Sequence, residues 1–227
     1  MRSGKITSSG RGGPKRLYDD ACGTALALEF VGERWSLLVI RELMFGPRRF
    51  GQIKANLPGI SANVLAQRLD SLEAEGIVRR DTLPPPASVS VYDLTPWGRD
   101  AEVAIREIGR WAARSPRHDP LLFMSTASAM ISLRTLIDLD RAAGLAMTVA
   151  FRFPDDAFVA RLGKGALAIR RGDTDQPDVT FTGDTMALRR TLYVKEGVNA
   201  PGLLAVSGDP AAVQRFVDLF QLPEKIA

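Results

Sequence analysis

Three consecutive prolines, Pro84 to Pro86, stand between two short alternating runs, residues 77–82 and 89–94. Each proline ring fixes φ near about −65° and removes a backbone donor, so the stretch Leu83-Pro84-Pro85-Pro86-Ala87-Ser88 can continue neither a helix nor a central strand. The flanking runs are rich in β-branched residues and alternate in polarity. A β-hairpin with a stiff loop satisfies both halves of the pattern. Upstream, residues 50–56 read as a short helix whose inner face is Phe50, Ile53 and Leu57, and Pro58-Gly59 makes a turn. Ser61 is placed to cap the next helix, because its hydroxyl can accept an orphan backbone N–H. That helix carries Leu65, Leu69 and Leu72 at i, i+4 and i+7, and Gly76 provides a left-handed stop.

Two helices with a glycine turn, followed by a basic two-stranded hairpin, are the parts of a winged helix-turn-helix. At about 100° per residue, Asn63 and Gln67 lie side by side, opposite the leucine stripe. Each amide can make a bidentate pair with adenine in the major groove. Arg48, Arg49, Lys54, Arg68, Arg79 and Arg80 cluster in or just before this stretch, a footprint for a polyanion. Arg79 and Arg80 at the wing base are expected on phosphates. The expected DNA contacts are these basic residues together with Ser61, Ala62, Asn63, Gln67 and Ser88. Read without the element order, the amides and charges would be an ordinary solvated face.

The rest of the chain excludes more than it asserts. It has 227 residues, enough for two domains, and 45% are hydrophobic. The net charge is +4, so the basic clustering says more than the total. Cys22 is the single cysteine, which rules out an intrachain disulfide, and with His118 as the single histidine no metal site is expected. His118, in SPRHDP, reads as a linker residue. There is no GxSxG, P-loop or paired-carboxylate motif, so no enzyme and no cofactor are expected. No apolar run reaches a membrane span, and residues 1–19 read as a disordered basic tail without a secretory h-region. A cytoplasmic location without membrane contact is expected.

Residues 24–45 read as two helices broken at Gly32. Thr95 and Pro96 suit the N-cap and first position of a long helix over residues 97–114. Its apolar face includes Trp97, Ile105, Ile108 and Trp111. A helix after the wing has little of its own domain left to cover, so these residues are expected to pair two subunits. Packing against residues 24–45 is the alternative, and both can hold.

The run FVGERWSLLVIRELMFGPRRFGQIKANLPGISANVLAQRLDSLEAEGIVRR and the phrase VSVYDLTPWGR resemble the HxlR family of bacterial winged-helix regulators. The match rests on Gly32 and Trp35, Gly46 to Phe50, Leu57 to Ser61, and Tyr92 to Gly98, within residues 19–115. Gly23 departs from the family pattern, where proline follows the cysteine. The resemblance implies a homodimer on a pseudo-palindromic operator of double-stranded DNA. In the second half, DVTFTGD, MALRRTLY and VSGDPAAVQRFVDLF resemble the sterol-carrier-protein-like domain, which encloses an apolar cavity between sheet and helices.

The expected fold class is therefore α+β. Residues 20–116 form a winged helix-turn-helix domain and residues 120–227 an α/β sterol-carrier-like domain. The second half is read as a helix over 121–139, strands over 146–153, 158–162, 166–170, 179–183 and 203–207, and helices over 184–193 and 209–220. Its expected ligand is a small apolar, aromatic or lipid-like effector. The candidate lining is Phe123, Met124, Met130, Phe151, Phe153 and Phe181, with Arg189 (or Arg190) or Tyr193 as a polar partner. Plain core packing is the competing reading of each. The function read from the chain is a DNA-binding transcriptional regulator, as a repressor released by that effector. Two alternatives are a redox-sensing regulator acting through Cys22 and a carrier of hydrophobic ligands with an attached DNA-binding domain.

Overall fold

A computed structural model describes residues 18–226, so nearly all of the expected tail at residues 1–19 lies outside the described residues. The first half contains α1 (Gly23–Val31), α2 (Ser36–Leu43), α3 (Phe50–Ala55), α4 (Ala62–Ala74), β1 (Val78–Thr82), β2 (Ser90–Leu94) and α5 (Pro96–Ala113). Ser61 Oγ accepts the Val64 N–H at 3.2 Å, and Leu65, Leu69 and Leu72 are fully buried. Gly76 leaves α4 at φ +69°, a conformation that costs an L side chain free energy. Strands β1 and β2 pair antiparallel from Val78↔Leu94 to Thr82↔Ser90. The wing holds one more piece: Arg48 exchanges both backbone hydrogen bonds with Tyr92, at 2.9 and 2.8 Å.

Thr95 joins the wing to α5. Its hydroxyl donates to the Gly76 carbonyl at 2.7 Å and accepts the Gly98 N–H at 3.0 Å. A Cβ on Gly98 would stand 2.1 Å from the Ile77 carbonyl oxygen. Only glycine therefore lets α5 start directly against the hairpin.

The second half contains α6 (Thr126–Leu136), β3 (Met147–Phe153), β4 (Asp156–Gly163), β5 (Ala166–Arg171), β6 (Val179–Thr182), α7 (Thr185–Arg189), a π-helical turn at Arg190–Val194, β7 (Ala205–Gly208) and α8 (Pro210–Val217). The five strands form one sheet in the order β5-β4-β3-β6-β7, with β3 and β6 parallel and the other pairs antiparallel. Register aligns Arg171, Phe158, Phe151, Phe181 and Val206 across the sheet. The helix expected over residues 121–139 is shorter. Ser125 caps it by accepting the Ser128 N–H at 3.1 Å, and Arg189 holds the Pro120 and Leu122 carbonyls outside it. After Leu136, Ile137 turns extended and bridges Phe220.

The two halves meet along a seam built of buried charge. Glu42 in α2 is fully buried. Its Oε1 accepts from Arg41 Nη2 at 2.9 Å and from Ser125 Oγ at 2.7 Å across the seam. Asp156, 7% exposed at its side chain, pairs with Arg48 of the first half and with Arg171 of the second, the latter at 2.9 Å. Arg171 also donates to the Phe45 carbonyl at 3.2 Å. Burial holds the Arg171 guanidinium below its ordinary pKa, and the neighbouring Arg48 charge acts in the same direction. Phe45 meets Phe158 edge-on at 5.3 Å. Arg134 of α6 bonds Glu102 of α5 at 2.7 Å.

Asp156→Asn takes from two guanidiniums at the seam the carboxylate they share and should cost about 3–5 kcal/mol in denaturant unfolding. Asp173→Asn breaks an exposed pair with Arg152 and should cost less than about 1 kcal/mol. Equal losses would remove the seam from the stability argument.

Candidate nucleic-acid interface

α3, the turn at Pro58-Gly59 and α4 form the helix-turn-helix, and β1–β2 the wing. The leucine stripe fixes the rotation of α4, so Ser61, Ala62, Asn63 and Gln67 are all exposed near its N-terminal end. Gln67's side chain is not used within the helix; its backbone carbonyl accepts from Ser71 at 2.8 Å. Arg49, Lys54 and Ser88 are exposed as well.

The arginines divide. Arg48 is not a surface cation: it is buried, 9% exposed, and held by Asp156. The sequence places it in a basic cluster, but its strand-like bridge to Tyr92 turns it inward. Arg68 is half-buried and pairs with Glu33 at 3.2 Å. Arg79 and Arg80 alternate to opposite faces of β1. Arg79 is exposed but opposed by Asp81 at 3.1 Å and Asp93 at 3.3 Å. Among the described residues no acid pairs with Arg80; it donates to Ser90 Oγ at 2.9 Å and lies 5.6 Å over the Tyr92 ring. Arg49, Lys54 and Arg80 are thus the cations with the most freedom to meet phosphate.

On α5, Ile105 turns inward to the core, while Trp97, Val103, Ile108 and Trp111 are exposed, Trp111 to 75%. Trp97 meets Phe30 of α1 edge-on at 5.6 Å. α1 itself carries no buried residue.

The ligand candidates do not form one site. Met130, Phe151 and Phe181 are core: Phe151 stacks on Phe181 at 5.6 Å, and Phe216 closes on both at 6.1 and 5.7 Å. These side chains fill the space where a cavity between sheet and helices was expected. Arg189 is also committed, donating to the Thr185, Pro120 and Leu122 carbonyls. Phe123, 64% exposed, and the half-buried Phe153 border a separate surface depression. Met124 and Tyr193 do border a cavity, of about 270 Å³, but it lies at the seam, between α2 and α5 on one side and α6 and the π turn on the other. No single-element pattern in the sequence pointed there.

The arrangement defines a winged helix-turn-helix protein with a second α/β half docked behind it. Residues 30–119 match the model of the HxlR-like helix-turn-helix family. The HTH-type transcriptional regulator YvaP of Bacillus subtilis is 38% identical over 86 residues, which span 38% of this chain and 80% of YvaP. YodB of the same organism is 40% identical over 86 residues, spanning 38% of this chain and 77% of YodB. A solved structure of the reduced form of YodB aligns with TM-score 0.40 and 35% identity, covering 44% of this chain and all of that one. The chain belongs to the HxlR-like helix-turn-helix family and is a DNA-binding transcriptional regulator. Residues 119–226 match the model of the alkyl sulfatase C-terminal family, a candidate for the sterol-carrier-like fold. No helix among the described residues is long and apolar enough to cross a membrane.

Arg80→Ala should weaken binding to specific and random duplexes alike and lower the salt slope by about one. Arg79→Ala should lower it by less, since Asp81 and Asp93 already oppose its charge. Titrations at several salt concentrations give both slopes; an unchanged slope for Arg80→Ala takes the wing off the DNA.

Proposed function

We propose that the protein is a homodimeric repressor that reads a pseudo-palindromic operator with α4 and is released by a small, largely apolar effector. Residues 20–116 act as the DNA-binding and dimerisation unit and residues 120–227 as the effector-responsive one, without catalysis of its own. Its place of work is the cytoplasm, where the operator is. The observation that carries this reading is the outer edge of α4. Asn63 and Gln67 are both exposed, one turn apart, on the face of α4 opposite the buried Leu65, Leu69 and Leu72. The dimer is supported by α1, none of whose residues is buried, and by the exposed apolar stripe Trp97, Ile108 and Trp111 of α5, which begins against α1 where Trp97 meets Phe30. Buried aromatic residues often carry much of an interface's energy.

Selection of bound sequences from random duplex DNA tests the reading. Wild type should yield an inverted repeat, and a single half-site would sink the homodimer. Asn63→Ala and Gln67→Ala should each relax preference at particular base pairs by about 1–3 kcal/mol. Their unfolding free energies should stay within about 0.5 kcal/mol of wild type. Identical selected sequences for all three proteins would place base reading elsewhere.

A second reading has one observation of its own. Cys22 is exposed at the N-terminal end of α1, where the Thr24 and Ala25 backbone N–H groups hold its thiol below the ordinary value. A thiolate is the reactive form, so Cys22 can answer to an oxidant or electrophile. If it does, diamide should release wild type from the selected operator and leave Cys22→Ser bound. Equal release of both proteins removes this role.

A further inference from the structure

The seam cavity has an apolar wall and a polar end. Leu37, Ile108 and Ile131 stand on the wall, and Ser132, Thr135 and Tyr193 at the polar end. At about 270 Å³ it approaches twice the ~150 Å³ of an engineered dry cavity that takes benzene. The directions of the hydroxyls are fixed by their partners. Ser132 Oγ donates to the Ala129 carbonyl at 2.7 Å, so Tyr193 must donate its own proton to Ser132, also at 2.7 Å. Thr135 donates to the Ile131 carbonyl at 2.8 Å. Each of these three protons is directed into the protein, so Ser132, Thr135 and Tyr193 offer a guest lone pairs, and the one further hydroxyl of the lining, Ser128, stands a turn away from them on α6.

The charges at the rim are accounted for as well. Arg41 is held by the buried Glu42 at 2.9 Å. His118 borders the cavity beside the Lys225 ammonium; burial first, and then that ammonium, keep its pKa below the ordinary value. Among the described residues an anionic guest would meet no uncommitted cation at the rim. A neutral guest with a donor of its own would complete the polar end.

We infer that the seam cavity binds a neutral one- or two-ring molecule carrying a hydroxyl group, with the ring between α2, α5 and α6 and the hydroxyl donating to Tyr193. This rests on the regulator reading only for its consequence at DNA. α2 packs on α4, and α5 carries the apolar stripe proposed for the dimer. A guest touching both helices is placed to alter the spacing of two recognition helices. It also moves the effector from the interior of the second half, where the sequence put it, to the contact between halves.

Calorimetry on the full chain uses 2-naphthol, 2-methoxynaphthalene and 2-naphthoate as probes. 2-Naphthol should bind tightest, one per chain. Tyr193→Phe should weaken it about tenfold, as the loss of one hydrogen bond does, and leave the methoxy compound, which has no donor, unchanged. Gly109→Leu gives a second variant. Gly109 borders the cavity, and a Cβ there meets nothing within 4 Å. Leucine in place of glycine also favours a helix. It should abolish binding of every probe at unchanged melting temperature. The site is overturned if wild type fails to bind 2-naphthol, if Gly109→Leu binds it normally, or if 2-naphthoate binds as well. It is equally overturned if no probe binds and Gly109→Leu alone shifts the sedimentation of the dimer, which would give the opening to a second copy. In a separate arm, saturating 2-naphthol should weaken binding to the selected operator about 5- to 150-fold. Normal probe binding with unchanged operator affinity would leave the site standing and sink the release by effector.

Discussion

Asp156 accepts two guanidiniums, one from each half of the molecule, and the way the halves sit together depends on that meeting. A carboxylate and two arginines cost several kcal/mol each to take out of water, and only a close, hydrogen-bonded geometry offsets the loss. The geometry is prepared on both sides. β5 pairs with β4 so that Arg171 falls opposite Phe158, and its guanidinium lies 5.1 Å over that ring. Arg48 is delivered from the other side by its backbone bridge to the wing. Thr126, at the start of α6, adds a third donor to Asp156 at 3.0 Å. A hydrophobic seam would tolerate sliding; this one is tied to particular partners, and Glu42 with Ser125 repeats the device a short way off.

From the wing outward, the order of ties is continuous. Thr95 binds the end of α4 to the start of α5. At the far end of α5, the Lys225 ammonium donates to the Ala113, Ser115 and His118 carbonyls, each at 3.0 Å. A cation on the last carbonyls of a helix satisfies orphan acceptors and complements the dipole. The same helix is therefore held by the wing at its first turn and by the second half at its last.

The sequence is legible where the cause of a structure is local. The prolines of the wing, the caps Ser61 and Thr95 and the leucine stripe of α4 all act within a few residues. The misses share a different cause. Arg48 looks like its neighbour Arg49 in a basic run, yet its partner is 108 residues away. The first turn expected of α6 is absent because Arg189, more than sixty residues on, takes the carbonyls. The phenylalanines of β3 and β6 read equally well as lining or as core, and only the arrival of Phe216 from α8 decides for core. The cavity formed instead where two halves meet, which no single stretch describes.

Glu42 sits in α2, within the half that reads DNA, yet its serine comes from the other half, and so does the ring that faces Phe45. Severed between α5 and α6, the first half would offer water a carboxylate shaped for Ser125 and an aromatic edge shaped for Phe158. The two halves are consequently not interchangeable parts. A different reader grafted onto this second half would need a glutamate, an arginine and a phenylalanine at the matching places before it could dock. The outer edge of α4 is free of such ties: Asn63 and Gln67 are exposed there and can be replaced without the seam taking notice.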